Sequence, residues 1–443
     1  MKLKKFGAIL LAMSLTTGLV AGCGASKEPA AEDAQASDAV AVEGTETAAA
    51  GGAVEACEIE FWHYMTGNLE TTLVELTDKF NSENEYGITV KLVNQGQVSD
   101  LQSKLTANAA SGTLPELALA YNNSVTEFLP EIVDLKPFIE SDFDNYEDII
   151  ESYRNENEEF GIVSGLPFNK STYVYFYNKT LFDELGIKAP TTWEETYAVG
   201  EAVKEAKGLA AMGYDDRAGM MEALVRQAGG QYVSEEGVLF DNESGLAAAE
   251  YIKTMYSNGY ATLADGGEFF SNLLSNGLIA GYVGSSAGVS YINTDVDGDG
   301  ENWELGVAPV AAGKQGAAYM AGTNLMMFAK DENAQKAAWE YMKFLTSTES
   351  TTTWAMATGY LPVRTSAFES EEYQAFMAEN PAAAAAYEQA DVFFYAPTFD
   401  ASNDLRTAMN TVTEEVMLQL KDGEMDAETV LSQLVDAATN AVD

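Results

Sequence analysis

The chain has 443 residues, 47% of them hydrophobic, enough apolar material to fill the cores of two or three domains, and two lobes are favoured. Its 69 acidic residues outnumber 24 basic ones, and the net charge of −45 excludes nucleic acid as a partner while favouring a soluble monomer. A single histidine, His63, rules out a multi-histidine metal site and any His-based triad with a spare.

Lys2, Lys4 and Lys5 open the chain, an apolar stretch follows over residues 6–19, and Val20, Ala21 and Gly22 precede Cys23. Residues 1–22 therefore read as a secretory signal peptide. Small residues directly before a cysteine resemble the bacterial lipobox, in which the thiol takes a diacylglycerol, so Cys23 is the expected lipidation site. Residues 23–55 are rich in Ala, Gly, Ser, Thr, Glu and Asp and cannot bury enough to order themselves; they read as a tether. No later stretch is apolar for long enough to span a bilayer. With Cys23 acylated, Cys57 has no partner for an internal disulfide and reads as a small buried apolar residue.

Glu58 to Trp62 predict a strand, and Leu69, Leu73, Leu76 and Phe80 recur at helical spacing after it. A strand over 88–93, a helix around Leu101, Leu105 and Ala109 that stops before Gly112, and a strand over 117–121 complete a βαβαβ run. That order predicts a parallel sheet covered by helices and an α/β class. Thr192 with Glu195 forms a capping box for a helix ending near Gly208. Further helices are predicted over 244–258, 332–346, 404–420 and 426–442. Three segments rich in hydroxyl, amide and aromatic residues, 168–177, 283–291 and 318–328, read either as ordinary loops or as walls of a cleft at strand ends.

Phe61-Trp62-His63, the helix end Lys79 to Asn84, the run Gly165-Leu166-Pro167-Phe168-Asn169-Lys170-Ser171-Thr172, Phe176 to Lys179 with Leu181-Phe182, Pro190 to Trp193, and Gly359-Tyr360-Leu361-Pro362 with Arg364 occur in one order along the chain. In this pattern the chain resembles extracellular solute-binding proteins of the sugar-binding class, family 1, and is most similar to their glycerol-3-phosphate-binding branch. The resemblance implies a two-lobed clamshell of type II with three hinge crossings, expected near 167–171, 284–288 and 328–331. Lobe boundaries are expected at 56–168 plus 288–330 and at 169–287 plus 331–443. It further implies capture of a glycerol phosphate, glycerophosphodiester or sugar by lobe closure, and delivery to the permease subunits of an ABC transporter at the outer face of the cell membrane. No cofactor and no catalytic residue are expected.

By the same resemblance the ligand would meet Ser171, Ser285, Ser286, the backbone amide of Gly322, Tyr360 and Arg406. Hydroxyls and amides donate to sugar or phosphate oxygens, and arginine meets two oxygens at once. The chain departs from the branch at two places. Asn122 follows Tyr121 where glycerol-phosphate binders carry an acid, and Gly213-Tyr214-Asp215-Asp216 leads into Arg217 where they present paired tryptophans. Specificity is therefore expected to have changed at Asn122, Tyr214 and Arg217, and these with Tyr121 are counted among the expected ligand-binding residues. The two arginines favour an anion, while the lost acid and tryptophans leave a neutral sugar open.

Asp295, Asp297, Asp299 and Gly300 match the first half of a calcium loop, but Gly306 stands where a bidentate glutamate is needed, so an acidic turn is the expectation and no metal is assigned. The rival function classes are a surface carbohydrate-active enzyme with two carboxylates and a sensory or adhesive lipoprotein that does not transport. No G-x-S-x-G, H-E-x-x-H or P-loop motif is present to support the enzyme.

Overall fold

The computed structural model describes residues 54–264, 269–295, 302–423 and 425–442. Cys23, the expected signal peptide, nearly all of the expected tether, and Asp297, Asp299 and Gly300 of the acidic loop lie outside the described residues. Strands are β1 Glu58–His63, β2 Thr89–Asn94, β3 Leu117–Ala120, β4 Leu166–Asn178, β5 Val233–Ser234, β6 Gly237–Val238, β7 Gly281–Ser285, β8 Leu305–Ala308, β9 Ala318–Met327 and β10 Phe393–Phe394. One sheet runs in the order β2-β1-β3-β9-β4-β7, with β8 also on β4 and β10 on β9, and β5 pairs β6 separately.

The opening βαβαβ run forms as its periodicity predicts. Along β1, Ile59, Phe61 and His63 alternate inward, and β1 pairs β2 and β3 in parallel. The helix Asn68–Glu83 buries Leu73, Leu76 and Phe80 on one face. The helix Val98–Ser111 stops at Gly112, whose φ of 69° is left-handed backbone that glycine adopts without strain. The helix Trp193–Lys207 starts at Thr192, whose hydroxyl accepts from the Glu195 amide, and ends at Gly208 with φ 70°.

Two lobes share the long strands β4 and β9. The first core gathers Phe61, Leu73, Leu117, Leu166 and Phe168 with Leu325, Met327, Trp339, Tyr341 and Trp354. From residue 173 onward, β4 leaves β9 and pairs β7 and β8 instead. There its alternation sends Tyr175 into one second-lobe core, with Met221, Phe240, Met409 and Leu434, and Val174 and Phe176 into another on the opposite face, with Phe270, Tyr282 and Tyr373.

This packing moves two of the expected crossings and the lobe boundaries with them. The first lies in β4, which leaves the first core after Phe168 and enters the second-lobe cores at Val174, Tyr175 and Phe176. The second lies within β9, because β7, the 3-10 turn Ser286–Tyr291 and β8 all stay against the second half of β4 rather than crossing at 284–288. The third lies near Gly359 to Leu361, where Leu361 bridges Lys170, and not at 328–331. The helix Glu332–Leu345 turns Ala337, Ala338, Tyr341 and Met342 into the first core, so it belongs to that lobe despite following β9. Residues 168–177 and 318–328 are likewise not loops. They form most of β4 and β9, both buried along nearly their whole length, and their composition reads as irregular because polar residues such as Asn169, Lys170, Thr172 and Asn324 are buried among the apolar ones.

The candidate ligand cleft

A cavity of about 920 Å³ opens between the lobes, near the upper end of the range for small-molecule sites. The first lobe supplies Tyr64, from the turn after β1, and Tyr121 to Ser124, from the turn after β3, both beyond the carboxyl ends of parallel strands. The crossing strands supply Ser171 and Tyr173 from β4 and Tyr319 to Gly322 from β9. From the second lobe come Ser285 at the end of β7, Gly219 and Glu222 on the helix Arg217–Gln227, Tyr232, and Asn403 and Arg406 on the helix Ser402–Asp422.

Of the residues singled out in the sequence, Tyr121, Asn122, Ser171, Ser285, Gly322, Tyr360 and Arg406 line this cavity. Ser286 sits beside it, buried, with its hydroxyl accepting from the Thr172 amide at 3.4 Å. Tyr214 turns into the second lobe, where its hydroxyl meets that of Tyr251 at 2.8 Å beside a smaller, separate cavity. Arg217 points along the helix Ser402–Asp422, pairing Glu414 at 2.7 Å and donating to the Asn410 carbonyl at 3.3 Å. Being close in sequence to the cleft does not bring either residue into it, since on a helix or turn the neighbouring position faces another way.

Gly322 shows a structural need. It has φ +117°, and a Cβ there would stand 1.9 Å from the Asn169 carbonyl oxygen, so only glycine lets β9 approach β4 at the crossing. Asn169 follows a break in the β4–β9 register, and its side chain links three elements: Oδ1 accepts from the Thr323 hydroxyl at 2.5 Å, and Nδ2 donates to the Tyr64 hydroxyl at 3.0 Å. Next to it Lys170 is fully buried with its ammonium on Glu156, above the ring of Tyr153.

Charge in the cleft is arranged in pairs. Arg406 Nη2 donates to Asp216 Oδ2 at 3.0 Å and Nη1 to the Tyr319 hydroxyl at 3.2 Å, while the Tyr173 hydroxyl donates to the same Asp216 oxygen at 2.7 Å. Glu222 pairs Arg226 at 2.8 Å. Burial pushes the Glu222 carboxyl up to about 7, against the pull of Arg226. Asn122 Nδ2 donates to the Thr398 hydroxyl at 2.9 Å and to Glu159 at 3.3 Å, and Asn403 Nδ2 donates to Glu127 at 2.7 Å, so polar contacts already join the lobes along one rim.

Asp216, Glu222, Tyr173, Tyr232, Tyr319 and Asn403 escaped the sequence reading as site residues. Tyr173 and Tyr319 lay inside segments marked for their composition, a usable signal. Glu222 carried none, because which face of its helix meets the cleft depends on the helices packed behind it. Among the described residues no cluster of three or more His, Cys, Asp or Glu is placed to hold a metal, and no helix is long and apolar enough to cross a membrane.

Two α/β lobes joined by crossing strands, with a polar cavity between them, define the class as a two-lobed solute-binding fold. The model for the bacterial extracellular solute-binding protein family matches residues 75–385, and the chain belongs to that family. It is 26% identical over 356 residues to the sn-glycerol-3-phosphate-binding periplasmic protein UgpB of Pectobacterium atrosepticum, covering 75% of this chain and 79% of that protein. To the protein of the same name from Rhizobium meliloti it is 25% identical over 426 residues, covering 87% and 94%. Among solved structures, UgpB from Mycobacterium tuberculosis in complex with glycerophosphocholine superposes with a TM-score of 0.73 at 20% identity, over 88% of this chain and 99% of that one. The sugar-binding protein MalE from Xanthomonas citri gives 0.75 at 20%, over 87% and 97%. The cyclic alpha-maltosyl-1,6-maltose binding protein from Arthrobacter globiformis gives 0.74 at 21%, over 87% and 99%.

Proposed function

We propose that this protein is the lipid-anchored solute-binding component of an ABC importer, capturing a sugar, glycerol phosphate or glycerophosphodiester outside the membrane and handing it to the permease subunits. The observation that carries this reading is the cavity of about 920 Å³ walled by polar groups from both lobes. A ligand that bridges the lobes binds the closed state more tightly and so draws the molecule closed. Cys23 would hold the protein at the outer face of the membrane, residues 23–55 would give it reach, and the strongly acidic chain would work as a monomer.

Purified protein is expected to melt at a higher temperature with one ligand from a panel of glycerol 3-phosphate, glycerophosphocholine, maltose and maltotriose. At a concentration about 100 times Kd the stabilisation is about 2.7 kcal/mol. The ligand should be recovered unchanged. A folded protein that no member of the panel stabilises, or one that cleaves the ligand, removes the proposal. The anchor is tested separately: Cys23→Ser should release the protein into the medium or leave it unprocessed, and a mature Cys23→Ser protein that still partitions into detergent would refute it.

A further inference from the structure

The charged side chains lining the cavity among the described residues are two carboxylates, Glu156 and Glu222, and one guanidinium, Arg406. Arg406 is not a free cation awaiting an anion. Its Nη2 lies 3.0 Å from Asp216 Oδ2, and Asp216 is itself largely buried and held from the other side by the Tyr173 hydroxyl at 2.7 Å. Arg217, the other arginine that favoured an anion in the sequence, is paired with Glu414 away from the cavity. A phosphate entering the cleft would have to share the guanidinium with Asp216, which already neutralises it, and the other two charged lining residues, Glu156 and Glu222, are carboxylates paired with Lys170 and Arg226.

A second observation is independent of charge. Asn122 is 4% exposed and lines the cavity, and its Oδ1 has no hydrogen-bond partner among the described residues. Its amide orientation is set from behind, because Nδ2 donates to Glu159 and Thr398. The group left without a partner is therefore an acceptor, and a buried acceptor without a donor is costly. A hydroxyl group of the ligand would supply that donor, which a phosphate oxygen cannot, so this position asks for a hydroxyl and the charge of the ligand is decided at Arg406. On the second lobe Tyr232, 5% exposed, also lines the cavity, and its buried hydroxyl has no partner among the described residues.

We infer that Asp216 is the specificity-determining residue of the cleft: by holding Arg406 in an internal ion pair it closes the site to phosphates and phosphodiesters, and the ligand is an uncharged polyhydroxyl molecule that donates to Asn122. The inference rests on the solute-capture reading and opposes the ligand that the names of the relatives suggest. Arg406 keeps N–H groups beyond the two it spends on Asp216 and Tyr319, and these donate to ligand hydroxyls without needing a negative charge.

Calorimetric titration of the full-length protein and of Asp216→Asn with glycerol 3-phosphate, inorganic phosphate and maltose tests it. The wild type should bind the two phosphates no better than millimolar. Asp216→Asn keeps the side-chain shape and releases the guanidinium, so its affinity for glycerol 3-phosphate should rise by about tenfold or more and fall again as salt screens the new attraction. Micromolar binding of glycerol 3-phosphate by the wild type overturns the inference, as does a folded Asp216→Asn with no gain. Should Asp216→Asn fail to fold, the wild-type titration decides: phosphate rejection supports the inference and micromolar phosphate binding refutes it. Tight wild-type phosphate binding would leave the capture reading standing, whereas a wild type that binds neither phosphates nor any saccharide of the wider panel counts against capture itself, so the two failures are distinguishable.

Discussion

Asn122 lines the cavity with only half of its amide satisfied: Nδ2 is spent on Thr398 and Glu159, and the buried Oδ1 has no partner among the described residues. Asn122→Ala should weaken the ligand identified by the panel by roughly tenfold, the scale of one lost hydrogen bond in a desolvated site; calorimetry showing unchanged affinity would place the ligand elsewhere. Glu222 makes a different contribution. Burial raises its carboxyl from the ordinary 4.5 to about 7, with Arg226 opposing the rise. The native state therefore holds a proton that the unfolded chain releases, and the stability this adds is complete below pH 4.5 and lost as pH rises through 7. At about 1.4 kcal/mol per pH unit the loss is a few kcal/mol. Glu222→Gln cannot titrate, so the fall in melting temperature between acidic and alkaline buffer should be smaller in the variant; equal falls in both proteins would discard this account.

At the level of elements, β4 and β9 do most to position the site, because each begins in one lobe and ends in the other. Their contact depends on Gly322 against the Asn169 carbonyl and on the buried Lys170–Glu156 pair, which ties β4 to the helix Glu151–Asn157. Burial pushes the Lys170 ammonium down in pKa while Glu156 pulls it up, so the pair holds only as a pair. Lys170→Met leaves Glu156 uncompensated and should cost about 3–5 kcal/mol, and adding Glu156→Gln should return part of it. Chemical denaturation reads both, and a single variant as stable as the wild type would show that the pair is dispensable.

For the whole molecule, the crossings at β4, β9 and Gly359 to Leu361 define how the lobes can move. All three run close together, linked by the Leu361 amide donating to the Lys170 carbonyl at 2.7 Å and by the β4–β9 ladder. A bundle of adjacent crossings permits bending about one line rather than free separation. Small-angle scattering with saturating ligand should therefore show a smaller radius of gyration than the free protein. An unchanged radius with proven binding would mean that the polar rim contacts of Asn122 and Asn403 already hold the lobes together without ligand.

Features written in local chemistry could be read without the structure. Helix ends at Gly112 and Gly208 follow from what glycine's backbone allows, and the opening strands and helices follow from apolar spacing. Seven of the residues marked for the site do line the cavity, carried there by motif resemblance rather than by any physical rule applied to the sequence alone. What folding decided was pairing and facing. Residues 318–328 became a crossing strand because a partner strand was there to take its hydrogen bonds, and the helix Glu332–Leu345 joined the first lobe because that core offered room for its apolar face. Arg406 looked like a free cation in the sequence, and the tertiary structure placed Asp216, 190 residues away, on its guanidinium. Backbone conformation is a property of a few adjacent residues, whereas the net charge at a site is a property of whichever distant side chains the fold brings within a few ångströms, and in this cleft it is the second that bears on the ligand.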